Sequence, residues 1–418
     1  IDNGILHGLA GPGFSVELFG DESDQARVFL GATTVTDGMN FTFDLRDVPA
    51  FPYITATVTD GRGNTGYLSA PMSWQAAESP VILVTTTADS AAGSLRAALQ
   101  TASSRPGPDS IRFQIPVTDP GYDLADGVWR IQLKNTCYFS GDSITIDGAS
   151  QTEYIGADTN PLGPEIVIDG SLAPHNAGLS AITAQDFYIR DLVIQNFAAN
   201  LSLSDVDGGM IERCYLGSDI TGTIAGTSSD LGVYIYNSQN VLIGSEDKRS
   251  GNVISGNESR GVMVDSCKHI SILNNNIGVD RSGRAPLLND FESVLIQSGS
   301  DSVLIAGNCI ASDKFSIRLL GAQHTSIRHN CINTDSTMSF DLGGDAALLI
   351  QAASHDNRIE HNKIAFSRRA VVIADSSQRN TLSQNIITGN QQGIIIFENA
   401  NGNIEPPVIH STSATEIT

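Results

Sequence analysis

The sequence predicts an all-β protein in which a small β-sandwich precedes a long solenoid of stacked parallel strands. The 418 residues include 40 glycines and only 6% aromatic residues, which favours turn-dense β structure over helices. Residues 1–72 alternate apolar and polar side chains over short runs separated by turn signals, as in a sandwich. From about residue 144 to residue 404, a β-branched element recurs with a spacing near 22 residues, which is typical of a solenoid.

The first 72 residues contain five short alternating runs that we predict to be strands. These runs are FSVELF (14–19), RVFLGA (27–32), NFTFDL (40–45), YITATVTD (53–60) and TGYLSA (65–70). Turn sequences such as GDESD and DGRGN separate them. The order and composition of the runs resemble the small immunoglobulin-like modules of bacterial surface proteins.

The segment SLRAALQTA, which begins at Ser94, predicts one amphipathic helix. Ser94 is placed to cap the helix N-terminus, and Leu95, Ala98 and Leu99 form an apolar stripe before Pro106 ends the segment. A helix directly before a solenoid can cover the open edge of its first turn. We therefore expect this helix to cap the coil.

The repeated element of the coil is a short β-branched run that ends at an asparagine corner, as in ILNNNIG, LIAGNCI, IRHNCI and IEHNKI. Each turn should lie on the previous one through parallel strands about 4.8 Å apart. Corner asparagines would then stack, each side-chain amide bonding to the next. This predicts a structural ladder formed by Asn275, Asn308, Asn330, Asn362 and Asn385.

Residues 81–405 resemble the right-handed parallel β-helix proteins of bacterial envelopes and secretions. The resemblance rests on the SLRAAL segment, on NVISGN at residues 252–257 and on the N-x-IG-x-D-x-x-G pattern near residue 276. It implies an extracellular or cell-surface location. The predicted domains are an immunoglobulin-like sandwich (1–72), a linker with first strands and capping helix (73–116), a right-handed parallel β-helix (117–405) and a tail strand (406–418).

Composition excludes some classes of partner and cofactor. With 24 basic and 46 acidic residues the formal charge is −22, which argues against binding to nucleic acids or anionic membranes. No apolar run approaches the roughly 20 residues of a membrane-spanning helix, so no membrane insertion is expected. The five cysteines lack zinc-site spacing, and Cys309 and Cys331 are predicted to stack as core thiols.

The insertion NTDSTMSFDLGGDAA (333–347) interrupts the repeat and is the best place for a catalytic or metal site. The candidate cluster at and beside it comprises Asp335, Asp341, Asp345, His329, Arg318 and Arg328. Two carboxylates could serve a glycosidase and three could hold calcium, whereas the simpler interpretation is a solvated acidic loop. Galacturonan hydrolases of the resembled fold share the motifs NTD, DD, GHG and RIK, of which only NTD occurs here, at 333–335. We assign no catalytic residue and expect no cofactor, leave the metal unknown, and keep Ca²⁺ as the alternative to test.

The last residues, HSTSATEIT, alternate like a strand, and we expect the tail 406–418 to complete an immunoglobulin-like module of a neighbouring copy. The expected partners are therefore copies of the chain joined head to tail, covalently in tandem or by strand addition, and surface polysaccharide. Two functions are predicted: an extracellular structural or adhesive module of a surface fibre, or a secreted polysaccharide lyase or glycoside hydrolase with its site on the β-helix face.

Overall fold

The computed structural model divides the chain into two compact units, Ile1–Pro80 and Val81–Thr418. The structure describes residues 5–21, 28–35, 40–45, 51, 53–70, 72–73, 80–227 and 229–404. The predicted tail strand, 406–418, lies outside the described residues, so head-to-tail joining stays a prediction.

The first unit contains antiparallel strands in two sheets. One sheet pairs Ile5–Leu9 with Asn40–Asp44, and the other has the order Val28–Thr34, Ser15–Asp21, Tyr53–Thr59, Met72–Ser73. Leu6, Leu18, Leu45 and Ile54 are buried together. The run at 65–70 was expected to form a strand, but it makes only a single bridge between Thr65 and Thr59. The immunoglobulin-like assignment of this unit stays a prediction.

The second unit is a coil in which the chain visits three long sheets in the same order on every turn. Sheet 1 consists of Val81–Val84, Asp109–Phe113, Ile144–Asp147, Gln185–Arg190, Asp207–Glu212, Gln239–Gly244, Ser271–Leu273, Leu304–Ala306, Ser326–Arg328, Arg358–Glu360 and Thr381–Ser383. Sheet 2 consists of Tyr122–Asp123, Val128–Gln132, Ile166–Asp169, Leu192–Gln195, Tyr215–Leu216, Val253–Ile254, Asn276–Ile277, Cys309–Ile310, Cys331–Ile332, Lys363–Ala365 and Ile386–Thr388. Sheet 3 consists of Cys137–Phe139, Ala177–Ile182, Ala199–Ser204, Leu231–Tyr236, Arg260–Asp265, Glu292–Gln297, Phe315–Leu320, Ala346–Gln351, Arg369–Ile373 and Gln392–Ile396.

Neighbouring turns pair in parallel, except that Tyr122–Asp123 runs antiparallel to its neighbour. The inward positions stack like on like, because equivalent residues of successive turns lie in register. In sheet 1 this produces a continuous buried row of Ile146, Ile189, Ile211, Ile243, Ile272, Ile305, Ile327 and Ile359. Because the strands Val81–Val84 and Asp109–Phe113 already belong to sheet 1, the coil begins before residue 117.

Two α-helices accompany the first turns of the coil. Helix α1 (Leu95–Ser103) confirms the predicted helix: Ser94 Oγ accepts a hydrogen bond from the Ala97 N–H, and Leu95, Ala98 and Leu99 are buried. It packs against the strands Val81–Val84, Asp109–Phe113 and Cys137–Phe139. Helix α2 (Ser150–Ile155) was not predicted from the sequence. A 3₁₀ turn, Asn401–Asn403, follows the last described strand.

The corner between sheets 1 and 2 combines a left-handed residue with a stacked asparagine. The left-handed residues, with φ between 51° and 71°, are Asp191, Arg213, Asn274, Gly307, His329, His361 and Gln384. Asn275, Asn308, Asn330, Asn362 and Asn385 directly follow the last five of these residues, and together with Asn252 they form a ladder of side-chain hydrogen bonds of 2.9–3.1 Å. Most of these amides also donate to an isoleucine carbonyl of the preceding turn, as Asn308 does to Ile272. The ladder therefore satisfies backbone groups that the bend removes from the sheets.

Candidate functional site

The six residues of the predicted cluster are distributed around the coil. Arg328 ends a strand of sheet 1, and His329 follows it at the corner. Asp335 lies in the loop after sheet 2, whereas Arg318 lies on sheet 3 and Asp345 directly precedes a strand of that sheet. The structure therefore does not bring these side chains into one site.

Asp335 is 2% exposed, and its oxygens are occupied by its own loop. They accept hydrogen bonds from Thr337 Oγ1 at 2.6 Å, from the Ser339 N–H at 2.8 Å and from the Phe340 N–H at 3.2 Å. Burial opposes ionisation, but these hydrogen bonds outweigh it and hold the pKa of Asp335 at about 2. Asp219 and Asp280 close earlier loops in the same way. The NTD sequence therefore serves to hold its own loop closed through hydrogen bonds to Asp335.

Arg318 belongs to a buried ion-pair cluster on the outer face of sheet 3. Its guanidinium lies 2.9 Å from Glu292, whose side chain has no exposed surface, and Arg260 of the turn before lies 2.7 Å from the other oxygen of Glu292. Arg318 also donates to Gln351 at 3.1 Å. These contacts span several turns and hold the sheet face together.

The other predicted carboxylates and histidines are also engaged separately. Asp345 pairs with Arg368 at 3.3 Å and with Arg369, and exposed Asp341 accepts a hydrogen bond from the Gly343 N–H. The ring of His329 stacks on His361 with centroids 5.0 Å apart and planes 9° from parallel. Across the described ranges, no three His, Cys, Asp or Glu side chains are close enough together to hold a metal ion.

The cysteine prediction needs a correction. Cys309 and Cys331 do pair in register, but they lie on the outer side of sheet 2 rather than in the core. Loop residues cover them: Cys309 Sγ lies 3.4 Å from the Gly283 carbonyl and 3.6 Å from the Thr334 carbonyl. Burial under these loops raises the pKa of Cys309 to about 12.

A cleft of about 540 Å³ opens on the outside of the corner between sheets 1 and 2, over the early turns of the coil. Glu165, Asp191, Arg213 and Tyr215 line it from successive turns. Other lining residues come from helix α2 and the residue before it, from the loop at 158–164, from the segment 248–253, from the corner residues Asn274 and Asn276, and from the loop that carries Arg281. The cleft therefore lies where protruding segments flank the αL corner.

The side chains that line the cleft include more cations than anions, whereas the whole chain has more anions than cations. Four cationic side chains line it, namely Arg213, Lys248, Arg249 and Arg281, against three acidic ones, Asp158, Glu165 and Asp191. The whole chain has 24 basic against 46 acidic residues. Lys248 and Arg281 are exposed and make no ion pair with a carboxylate among the described residues, and Arg281 contacts the Tyr215 hydroxyl, where it opposes the rise that burial causes in the pKa of Tyr215.

Glu165 is the most buried acid of the cleft, with 5% of its surface exposed. Its Oε2 accepts a hydrogen bond from Thr152 Oγ1 at 2.6 Å, whereas its buried Oε1 has no partner among the described residues. Burial raises the pKa of Glu165, and the charge of Asp158 adds to that rise, whereas hydrogen bonds from Thr152 and from the backbone N–H groups of Glu165 and Thr159 oppose it. A buried oxygen without a partner in a cleft can bond to a ligand.

Arg213 and Tyr215 form a fixed wall of the cleft. The Arg213 guanidinium donates twice to Asp191, at 2.7 and 2.9 Å, and also contacts Glu212. The hydrogen bonds with Asp191 raise the pKa of Arg213 and so keep it charged. Tyr215 donates to the Leu162 carbonyl at 2.7 Å, which ties the loop at 158–164 to sheet 2.

The sequence analysis missed this cleft because its residues come from separate segments spread over positions 149 to 281, with no motif in common. One signal was present: the pair Lys248 and Arg249 is a rare basic dipeptide in an acidic chain. The helix that flanks the cleft, α2, was not predicted either.

Three parallel sheets visited in a fixed order, with a crossover chirality that is right-handed in nearly all parallel connections, define this chain as a right-handed parallel β-helix protein. Residues 232–406 match the family described as "Right handed beta helix region". No match was found among curated proteins. No helix in the described ranges is long and apolar enough to cross a membrane.

Solved structures with similar folds include enzymes and an adhesin. The A-module of the mannuronan C-5 epimerase AlgE6 from Azotobacter vinelandii is 16% identical, with a TM-score of 0.37 and coverage of 78% of this chain and 98% of that chain. PfbA, a surface adhesin of Streptococcus pneumoniae, is 9% identical, with a TM-score of 0.38 and coverage of 76% and 92%. The cedar pollen allergen jun a 1 is 12% identical, with a TM-score of 0.35 and coverage of 80% and 83%. At these values the similarities carry no inference about activity.

Proposed function

We propose that this protein is an exported adhesive β-helix module that binds an acidic polysaccharide in the corner cleft. The observation that supports the proposal is the reversed charge balance of the cleft in a chain with a net charge of −22. An acidic surface repels polyanions in general, so a local concentration of cations selects where such a polymer can dock.

The geometry favours a chain-like ligand over a compact one. The lining residues Glu165, Asp191 and Arg213 follow one another along the corner, one from each turn, at the spacing of about 4.8 Å between parallel strands. A cleft with that repeat suits a polymer whose charged groups also recur. The exposed Lys248 and Arg281, from different loops, supply cations that can contact its anionic groups.

The test compares polymer binding by two double variants. Wild-type protein should bind acidic polymers such as polygalacturonate, alginate or chondroitin sulfate and should not bind neutral dextran. Lys248→Ala with Arg281→Ala should weaken binding by up to about thirtyfold, since exposed charge pairs contribute about 1 kcal/mol or less each. Binding should also weaken as salt rises from 50 to 300 mM.

The matched control is Lys268→Ala with Arg284→Ala, which removes two exposed cations that do not line the cleft. This variant has the same net charge as the test variant but leaves the cleft unchanged, so it should bind like the wild type. Equal losses in both double variants would mean that only total charge matters, and the cleft would be excluded as the site. Absence of binding to every acidic polymer would remove the proposal.

A second candidate function is cleavage of the bound polymer. Glu165 and Asp191 directly precede Ile166 and Leu192, which pair in register, so two carboxyl groups lie on adjacent turns of one cleft. Carboxyl pairs about 5–10 Å apart serve glycosidases. Release of reducing ends from the same acidic polymers, lost in Glu165→Gln, would establish this function. Binding without product formation would leave adhesion as the function.

A further inference from the structure

We propose that Glu165 takes up one proton when an anionic group occupies the cleft and donates it to that group through Oε1, so that binding strengthens as the pH falls. This inference rests on the proposed function, because it concerns how the same cleft recognises its ligand.

The first support is the position of Glu165. It lies at the inner end of the cleft, 95% buried, with Oε2 held by Thr152 at 2.6 Å and Oε1 without a partner in the described structure. Because an ionised carboxylate only accepts hydrogen bonds, it would repel an anionic oxygen placed beside Oε1. Once protonated, the same carboxyl group becomes a donor and can bond to that oxygen.

The second support is that the charged groups around Glu165 pair with one another and not with Glu165. On helix α2, Glu153 is engaged with Arg112, and on the preceding turn of sheet 2 Arg130 faces Asp169 at 3.7 Å. On the following turns Asp191 and Arg213 pair with each other at 2.7 Å. The charges of these three pairs are therefore compensated within the protein.

Two further titratable groups lie close by. Asp158 faces Glu165 from the loop at 158–164, and Tyr215 lies on the following turns with its hydroxyl bound to the Leu162 carbonyl. Of all these neighbours, Asp158 adds a negative charge that favours the protonated form of Glu165. An anion that enters the cleft would add a second negative charge, which also favours the protonated form of Glu165.

Proton uptake follows from linkage. An anion that enters the cleft raises the pKa of Glu165 further. At a pH between the pKa of the free protein and the pKa of the complex, the complex therefore binds more protons than the free protein. Affinity therefore rises as pH falls through that window, by at most tenfold per pH unit for one proton, and levels off below it. Burial already raises the pKa of Glu165 in the free protein, which moves the window toward neutral pH.

The experiment measures binding of dextran sulfate by titration calorimetry between pH 5 and 8, because this probe stays fully ionised over the range. Two buffers with different ionisation enthalpies count the protons taken up. Wild type should gain roughly three- to tenfold in affinity between pH 7.5 and 5.5 and take up a fraction of one proton. Glu165→Gln, which keeps the shape and is always neutral, should bind with a flat pH profile and no proton uptake.

The control variant is Asp158→Asn, an exposed acid of the same cleft; it should raise affinity near neutral pH and retain proton uptake, but with the pH-dependent rise moved to lower pH, because the negative charge that favours protonated Glu165 is gone. The same slope in wild type and Glu165→Gln would overturn the inference and leave the proposed function intact.

Failure of the proposed function itself is distinguished by a measurement that needs no polysaccharide. The carboxyl ¹³C resonance of Glu165, identified by its loss in Glu165→Gln, is titrated in 0.1 M sodium sulfate and in sodium chloride of equal ionic strength. A higher titration midpoint in sulfate supports proton-linked anion binding even if no polymer binds. Identical midpoints, together with no polymer binding, would remove both proposals.

Discussion

Asn308 donates two hydrogen bonds to the same oxygen of Asn330, one from its side-chain amide and one from its backbone N–H, both at 3.0 Å. In turn, its own oxygen accepts the equivalent pair from Asn275, at 3.1 and 2.8 Å. The inner asparagines of the ladder therefore link their turns to both neighbours at buried positions; these are Asn275, Asn308, Asn330 and Asn362.

Substitution of Asn308 by alanine should destabilise the coil strongly. The change removes the acceptor of the Asn275 backbone and side-chain N–H groups and the side-chain donor to the Ile272 carbonyl, at about 1–3 kcal/mol for each buried group, whereas the backbone N–H of residue 308 still donates to Asn330. We expect a loss of at least about 3 kcal/mol in urea unfolding followed by circular dichroism. Asn135→Ala, at an exposed position outside the ladder, should cost less than about 0.5 kcal/mol. Similar midpoints for both variants would show that the ladder adds no stability.

Arg318→Met should destabilise the protein by about 2–3 kcal/mol, because the fully buried Glu292 loses one of its two arginine partners. Arg328→Met removes an arginine whose side chain is exposed on sheet 1, and we expect a change within about 0.5 kcal/mol. Thermal unfolding of the two variants beside wild type measures the difference. If Arg328→Met were the more damaging change, the assigned role of Arg318 would be wrong.

The stability contributed by Asp335 should disappear in strong acid. Its folded-state pKa of about 2 is below its ordinary value of 3.8, so the unfolded chain binds the proton first as the pH falls. The contribution, about 2 kcal/mol, is complete above pH 4 and is lost as the pH falls toward 2. Asp335→Asn should therefore be less stable than wild type at pH 6, and the gap should narrow between pH 4 and 2. Asp341→Asn, at an exposed position of the same loop, is the control and should change the free energy of unfolding at pH 6 by less than about 0.5 kcal/mol.

Alanine substitutions at two glycines distinguish the stability cost of backbone strain from the cost of steric overlap. Gly278 and Gly299 both have positive φ, 75° and 74°. A Cβ at Gly278 would lie 1.8 Å from the Ala311 carbonyl oxygen, whereas one at Gly299 would meet nothing within 4 Å. Gly299→Ala should cost about 1–2 kcal/mol from the left-handed conformation alone. Gly278→Ala should cost clearly more in the same unfolding assay, and equal costs would contradict the predicted overlap.

The repeating part of this protein can be predicted from its amino-acid sequence. Stacked turns impose a spacing on the chain, so the positions of Asn308 and Asn330 were readable as a period, and the capping helix was readable from Ser94 and its apolar stripe. These features are local or periodic, and their physical basis is the register of parallel strands.

The candidate site was decided by tertiary structure alone. The sequence places Arg318, His329 and Asp335 within 18 positions, but one turn of the coil carries them to different sides, because the chain changes sheet every few residues. Conversely, Glu165, Arg213 and Lys248 are far apart in sequence and meet because they occupy the same corner on successive turns or in loops beside it. In a solenoid, residues that occupy the same position on successive turns lie close together in space. Residues that are close in sequence are instead distributed around one turn.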